Sequence, residues 1–216
     1  MSSNILITGG TGFVGSWMKK TQPEGFAVCY ASRKGYNNWL DWDWNYIVHL
    51  APVSPARCIE NIQRNKGRLL YCSSGIVYHM ENDTMYRRNK IRWEQECLDS
   101  GADVVIARPF TFMRSSKAYN ALFDAAREGK PLEVWGDCTR SFMHGAEMGR
   151  WMWAILLRGE SGQAYDVGSD KPTTILRLAR RIQAFTTWCD IKQVACRPVP
   201  MPVYLPENTD RTKSLL

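Results

Sequence analysis

The chain has 216 residues, 44% of them hydrophobic, a formal charge of +7 and a pI near 9.1, which suffices for one well-buried globule but not for two large ones. No apolar run approaches the roughly eighteen residues of a membrane helix, and Met1-Ser2-Ser3-Asn4 leads straight into a strand-like run with no room for a signal peptide, so the expected setting is cytoplasmic with no membrane partner. Seven cysteines without a C-x-x-C pair and three histidines without zinc spacing predict buried free thiols and no metal site, and a basic excess spread along the chain argues for a solvated surface and small anionic partners over nucleic acid.

The first element is Ile5-Leu6-Ile7-Thr8, an apolar run long enough for one buried strand, followed by Gly9-Gly10-Thr11-Gly12-Phe13-Val14-Gly15 and a helix start at Ser16-Trp17-Met18. Gly10 to Gly15 fits G-x-G-x-x-G between a strand and a helix. Glycine permits the tight turn and a close approach of main chain to ligand, and the amides of the new helix end can face a pyrophosphate. Gly9, Thr11, Gly12, Phe13, Val14 and Gly15 are therefore candidate dinucleotide-binding residues. A second strand over Phe26–Ala31 ends at Ser32-Arg33-Lys34, the place where such sites choose their ribose. An acidic residue there would accept from a 2′-hydroxyl, whereas basic residues suit a 2′-phosphate, so Ser32, Arg33 and Lys34 predict NADP in preference to NAD.

Only eleven residues, Gly35 to Asn45, separate this region from the next strand, Tyr46–Leu50, too few for a helix, a strand and another helix. The far edge of the sheet must be abbreviated, and Trp39, Trp42 and Trp44 are expected to cover it or, for one of them, to stack on adenine; Asp41 or Asp43 reads as an adenine contact or as a surface carboxylate. A helix from Pro55 to Asn65 turns Cys58, Ile59 and Ile62 inward and is closed by Gly67, after which Arg68–Cys72 forms the next strand.

That strand runs into Ser73-Ser74-Gly75-Ile76-Val77-Tyr78, and Tyr86 and Lys90 follow four residues apart on one helix face. A tyrosine working as acid or base near neutrality needs its pKa of about 10 moved by about three units, and a neighbouring ammonium together with a cationic nicotinamide would favour the phenolate. A serine hydroxyl at the strand end could hold the same substrate oxygen.

Taken with the glycine loop, this order resembles the extended short-chain dehydrogenase/reductase family, which includes the nucleotide-sugar epimerases and dehydratases. Thr8 to Gly15 is similar to the family's T-G-G-x-G-F-[IV]-G loop, His49-Leu50-Ala51 to its H-L-A-A strand end with Pro52 in place of the last alanine, and Ser73 to Tyr78 to its S-S-x-x-V-Y segment. The resemblance implies Ser74, Tyr86 and Lys90 as the catalytic group, with Glu94 at the usual glutamate position, and Leu50, Ala51 and Lys90 as cofactor contacts. Val104 to Phe110 resembles the segment that closes over the nicotinamide, which adds Pro109 and Phe110. Gly129 to Asp137 looks like G-K-P…G-D-G with Cys138 for the final glycine, and Arg140 stands where the family grips a substrate phosphate, beside Ser74 and Tyr86 as substrate contacts; its alternative is a surface salt bridge. Tyr165-Asp166-Val167-Gly168 is similar to Y-N-V-G.

The implied fold is α/β, a Rossmann-type doubly wound parallel sheet with a small C-terminal substrate-binding portion, shortened relative to the family after the second strand, between Ser74 and Tyr86, and at the end. Residues 1–112 would form the dinucleotide-binding core and 113–216 mainly the substrate-binding portion, with segments around 144–168 returning to the core. Ser74 and Tyr86 lie twelve residues apart, which can span up to about 40 Å and does not prevent their meeting. Gly75-Ile76 replace the acidic pair of the 4,6-dehydratases, so hydride transfer in an epimerase or reductase is expected over dehydration, with a nucleotide sugar as substrate, NADP or NAD as cofactor and a homodimer as a possible assembly. A decarboxylase and a non-catalytic NADP- or RNA-binding relative are the alternatives.

In the C-terminal half, helices are predicted over Lys117–Glu128, stopped by Gly129 and Pro131, and over Gly145–Leu157 with Met148, Trp151, Met152 and Ile155 on one face. A third, capped by Thr173 or Thr174, is predicted to bury Ile175, Leu178, Ile182 and Phe185 and to expose Arg177, Arg180 and Arg181 to water or RNA. Pro198 to Pro202 is an extended connector, and Thr209 to Leu216 begins like a helix.

Overall fold

The structure, a computed structural model, describes residues 3–32, 36–80, 83–113, 117–135, 139–185, 189–194, 206 and 209–216. In chain order the elements are β1 (Asn4–Thr8), α1 (Phe13–Lys20), β2 (Ala27–Ala31), α2 (Tyr36–Trp39), β3 (Tyr46–His49), α3 (Ala56–Asn65), β4 (Arg68–Cys72), a 3-10 turn (Gly75–Tyr78), α4 (Met85–Asp99), β5 (Asp103–Pro109), β6 (Thr111–Phe112), α5 (Lys117–Arg127), β7 (Leu132–Trp135), β8 (Thr139–Arg140), β9 (Phe142–Met143), α6 (Gly145–Arg158), β10 (Ala164–Val167), β11 (Thr173–Thr174), α7 (Ile175–Phe185), β12 (Ile191–Val194) and α8 (Asp210–Lys213). The chain divides into two compact units, one of Met1–Pro109, Gly145–Val167 and Glu207–Leu216 and one of Phe110–His144 and Gly168–Pro206.

The first unit is a parallel six-stranded sheet in the order β10-β5-β4-β3-β1-β2, with helices on both faces, the doubly wound α/β architecture. Successive strand residues point to opposite faces. Leu6, Ile47, Leu69, Tyr71, Val104 and Ile106 pack against Cys58, Ile59 and Ile62 of α3 and Trp93 and Cys97 of α4. On the other face α6 lies on β4 and β5 and packs closely along α1. Gly145 and Gly149, one turn apart, permit that approach, since a side chain on Gly145 would meet the Trp17 indole and one on Gly149 the Thr21 hydroxyl. Trp153 Nε1 donates to Met18 O at 2.9 Å across the same helix pair. The edge strand β10 is fastened by the buried Thr212 of α8, whose hydroxyl donates to Asp166 O at 2.8 Å.

In the second unit, α5 and α7 pack with β7 and β12 around Leu122, Ala126, Leu132, Val134, Phe142, Ile175, Leu178 and Ile182. Gly129 ends α5 with φ +67°, a left-handed conformation suited to glycine. Thr174 caps α7, accepting from Arg177 N at 3.0 Å, and Arg177, Arg180 and Arg181 are exposed.

Three expectations are corrected. Phe185 is not inward but 90% exposed, because α7 runs past the last core position at Ile182. The left-handed residue that closes α3 is Lys66 (φ 50°), not Gly67; Gly67 is needed for space, since a Cβ there would lie 2.6 Å from Asn45 O and 2.7 Å from Trp44 O. The three tryptophans do not act together as an edge cover. Trp44 is a core residue beneath α3 with its Nε1 bonded to Trp39 O, whereas Trp42 is 64% exposed. Asp41 and Asp43 pair with Arg57 and Arg64 on the surface. Among the described cysteines Cys58, Cys72, Cys97 and Cys189 are buried free thiols and Cys29 is half-buried. Arg33, Lys34, Cys138, Cys196 and the connector over 198–202 lie outside the described residues.

The tightest point of the glycine loop is Gly15, where a Cβ would sit 2.4 Å from Gly10 O and 2.5 Å from Gly10 Cα, both main-chain atoms that cannot rotate away. Gly15→Ala is therefore expected to force α1 from the loop and to destabilise the fold by about 1–3 kcal/mol, read as a lower urea midpoint at unchanged m-value.

Candidate active site

The strand order places β1 between β2 and β3, so the chain leaves β1 toward one side of the sheet and returns on the other. The open ends of β1 and β3 form the switch point at which such sheets bind ligands. Gly9 turns there with φ +68°, and a Cβ on it would meet Ala51 N at 3.1 Å. Gly10 N donates to Ala31 O at 2.9 Å, tying the loop to β2. Gly12 is the N-cap of α1 and has no side chain to cap it, and the first turn holds no acidic residue. The positive end of α1 thus meets no competing carboxylate of its own, which fits a pyrophosphate. Around it Thr11 is exposed, Phe13 and Val14 are half-buried, Gly15 and Ala51 are buried and Leu50 is half-buried; Ser32 is exposed just after β2.

His49, the last residue of β3, binds the two strand ends together. Its Nε2 lies 3.0 Å from Val53 O, which can only accept, so Nε2 carries the proton and Nδ1 accepts from the Thr8 hydroxyl at 2.9 Å. Burial, and to a lesser degree the charge of Lys90, lowers the imidazole to about 4 against the accepting pull of Val53 O. An unfolded chain takes up the proton near pH 6.5, so this contribution to stability is whole above that pH and is lost progressively as pH falls toward 4, about 3 kcal/mol in all. Unfolding free energies from urea titrations at pH 7.5 and 4.5 are expected to differ by about 2–3 kcal/mol less in His49→Asn than in the unaltered protein.

Ser74, Tyr86 and Lys90 lie near one another at the end of β4 and the start of α4. Ser74 follows β4 as the N-cap of the 3-10 turn, its hydroxyl accepting from Ile76 N at 3.3 Å, and its side chain lies near enough to the Tyr86 phenol to pull that phenol's pKa down. Thr84 caps α4 by accepting from Arg87 N at 3.2 Å, and Tyr86 lies in the first turn, 49% exposed. Lys90, one turn on, is buried; its Nζ donates to Cys72 O at 2.6 Å and lies 5.8 Å from the centre of the Tyr86 ring. Burial lowers the ammonium's pKa. The electrostatics differ from the expectation that Lys90 brings the phenol down. Burial first, and then the Cys72 thiol, raise Tyr86 above its usual value, and the counteracting pull comes from Ser74.

A buried polar chain behind these groups was not singled out from the sequence as a site. Glu94, a further turn along α4 from Lys90, holds Arg108 of β5 by two bonds of 3.0 and 2.6 Å. Arg108 Nη1 donates to Tyr78 OH at 2.8 Å, and Tyr78 OH donates to Asp166 Oδ1 of β10 at 2.9 Å. The signal was present in the spacing: Tyr86, Lys90 and Glu94 recur every four residues along one face. Pro109 ends β5, half-buried. Phe110 and Arg140 belong to the second unit. Phe110 packs by Gly168, where a Cβ would lie 3.2 Å from the Phe110 Cβ. Arg140 is buried in β8, which pairs with β11, and its Nη1 donates to Thr139 O at 2.8 Å, so it is no surface residue.

Among solved structures the fold is similar to the dTDP-glucose 4,6-dehydratase of Bacillus anthracis in complex with NAD (TM-score 0.77, 18% identity, covering 98% of this chain and 89% of that one). It is also similar to RMD of Pseudomonas aeruginosa complexed with NADPH (0.77, 21%, 99% and 92%) and to the UDP-glucuronic acid 4-epimerase of Bacillus cereus in complex with UDP-glucuronic acid and NAD (0.76, 17%, 99% and 92%). No curated protein sequence matches the chain. Residues 43–168, more than half the chain and the stretch that carries Ser74, Tyr86, Lys90, Arg108 and Asp166, match the NAD dependent epimerase/dehydratase family, and the protein belongs to that family.

Proposed function

We propose that the protein is an NAD(P)-dependent epimerase or reductase of nucleotide sugars. The observation that carries this reading is the convergence of Ser74 and Tyr86, with the Lys90 ammonium one helical turn away, at the end of a parallel sheet whose glycine loop suits a pyrophosphate. Ser74 holds the reacting sugar oxygen, and Tyr86 gives a proton to that oxygen or takes one from it. The phenol form of Tyr86 is the one that donates to a carbonyl oxygen, and the phenolate the one that accepts from a sugar hydroxyl. Lys90 binds the nicotinamide ribose. Arg140 takes a phosphate of the substrate, a task suited to a two-pronged guanidinium. A nicotinamide, when bound, supplies or receives the hydride.

NADP is the preferred cofactor in this reading because Ser32-Arg33-Lys34 follows β2 where a 2′-phosphate would lie; the similar structures hold NAD in two cases and NADPH in one. Incubation with NADPH or NADH and a panel of nucleotide sugars and nucleotide 4-keto sugars, followed by absorbance at the reduced nicotinamide band and by product stereochemistry, tests the proposal. Turnover of one member is expected. No turnover, together with strong salt-dependent RNA binding, would instead support a binding protein on the same fold.

A further inference from the structure

The short 3-10 turn after β4 is fixed at both ends by groups that come from different parts of the first unit. At its start the Ser74 hydroxyl accepts from Ile76 N, and the same side chain neighbours the Tyr86 phenol, whose pKa it pulls down. Along it, Arg87 of α4 donates from Nη2 to Val77 O at 3.3 Å. At its end the Tyr78 hydroxyl accepts from Arg108 and donates to Asp166, while the Arg108 guanidinium lies over the Tyr78 ring at 4.9 Å. Arg108 is in turn clamped by Glu94, on the same helix that carries Tyr86. The turn is four residues long, so a displacement at Tyr78 is passed to Ser74 with little slack.

We infer that Tyr78 is a positioning residue: its hydroxyl, held between Arg108 and Asp166, fixes the turn that presents the Ser74 hydroxyl to Tyr86. This deepens the enzymatic reading and names a group that touches neither sugar nor nicotinamide in that reading. The hydroxyl of Tyr78 forms the link because Tyr78→Phe would keep the ring beneath the guanidinium while cutting both bonds. Other groups near the Tyr86 phenol are Cys72 and Tyr71 of β4 and Lys90 of α4, none of which bonds to Tyr78.

The test reads Tyr86 directly, without turnover. With 3-fluorotyrosine in place of Tyr86, one fluorine resonance reports its titration, and the fluorine brings that titration down into a range where the protein is folded. Ser74→Ala is expected to raise the titration by about 0.5–1 pH unit, the size of one lost hydrogen bond. Tyr78→Phe should raise it by a similar amount, and the double variant should rise no further than Ser74→Ala alone. In the unlabelled enzyme Tyr78→Phe should lower kcat while leaving the cofactor's Kd unchanged. A Tyr78→Phe titration equal to that of the unaltered protein, no movement in either variant, or additive shifts would each overturn the inference. If Tyr78→Phe does not fold, Asp166→Ala, which removes one of the two anchors, is measured against the same criteria. A fluorine result of the expected kind without turnover of any sugar would leave Tyr78 in this role and count against the enzymatic reading alone.

Discussion

Tyr86→Phe is expected to lower turnover by about 10²–10⁴-fold while leaving cofactor affinity within about twofold. The substitution removes one hydroxyl from a ring that is 49% exposed, so neither the core nor the helix cap at Thr84 is disturbed. It deletes the only atom of that side chain able to move a proton, and it leaves Lys90 bonded to Cys72 O. Binding and chemistry therefore separate: nicotinamide titrations should overlay those of the unaltered protein, and kcat should carry the whole loss. A parallel fall in affinity would instead assign Tyr86 a packing role.

The largest effect on stability is expected at Arg108. Its guanidinium is 21% exposed and its partner Glu94 is 9% exposed, with bonds of 2.6 and 3.0 Å between them. Arg108→Met would leave the Glu94 carboxylate buried without its counter-charge and the Tyr78 hydroxyl without its donor. Breaking a buried pair from one side costs about 3–5 kcal/mol, or a fall of about 10 °C in Tm for a chain of this size. The double variant Arg108→Met with Glu94→Leu should recover a good part of that loss, because the deficit comes from the uncompensated charge and not from the absence of the bridge. Thermal melts of both variants check this. Equal melting temperatures in the single and double variants would contradict it.

Strong local patterns in the sequence carried most of the fold. The strand, glycine loop and helix from Ile5 to Met18, the inward face of α3 at Cys58, Ile59 and Ile62, and the buried stripe of α6 all follow from spacing that one element satisfies by itself. The pairing of Ser74 with Tyr86 was legible through the family resemblance and not through distance along the chain, since twelve residues can span up to about 40 Å and permit the contact without requiring it. What escaped depends on several elements at once. Phe185 has the right interval from Ile182, but an interval cannot say where the core beneath a helix ends. Trp44 sits just ahead of β3 and gives no periodic sign of the pocket formed by α3 and the sheet. Arg108, Tyr78 and Asp166 are far apart in sequence, and only the parallel order β10-β5-β4 brings them into a chain. The raised phenol of Tyr86 needed coordinates as well, because the spacing of Tyr86 and Lys90 does not reveal the burial of the phenol or its nearness to the Cys72 thiol.

The central claim is that these side chains serve hydride transfer at a sugar carbon. It is tested most directly by offering the protein NADPH deuterated at the transferable position of the nicotinamide with nucleotide 4-keto sugars, and examining the sugar by mass spectrometry and NMR. The account predicts deuterium on the reduced sugar carbon, delivered to one face only and absent with Tyr86→Phe. Bound NADPH with no label reaching any sugar would contradict it.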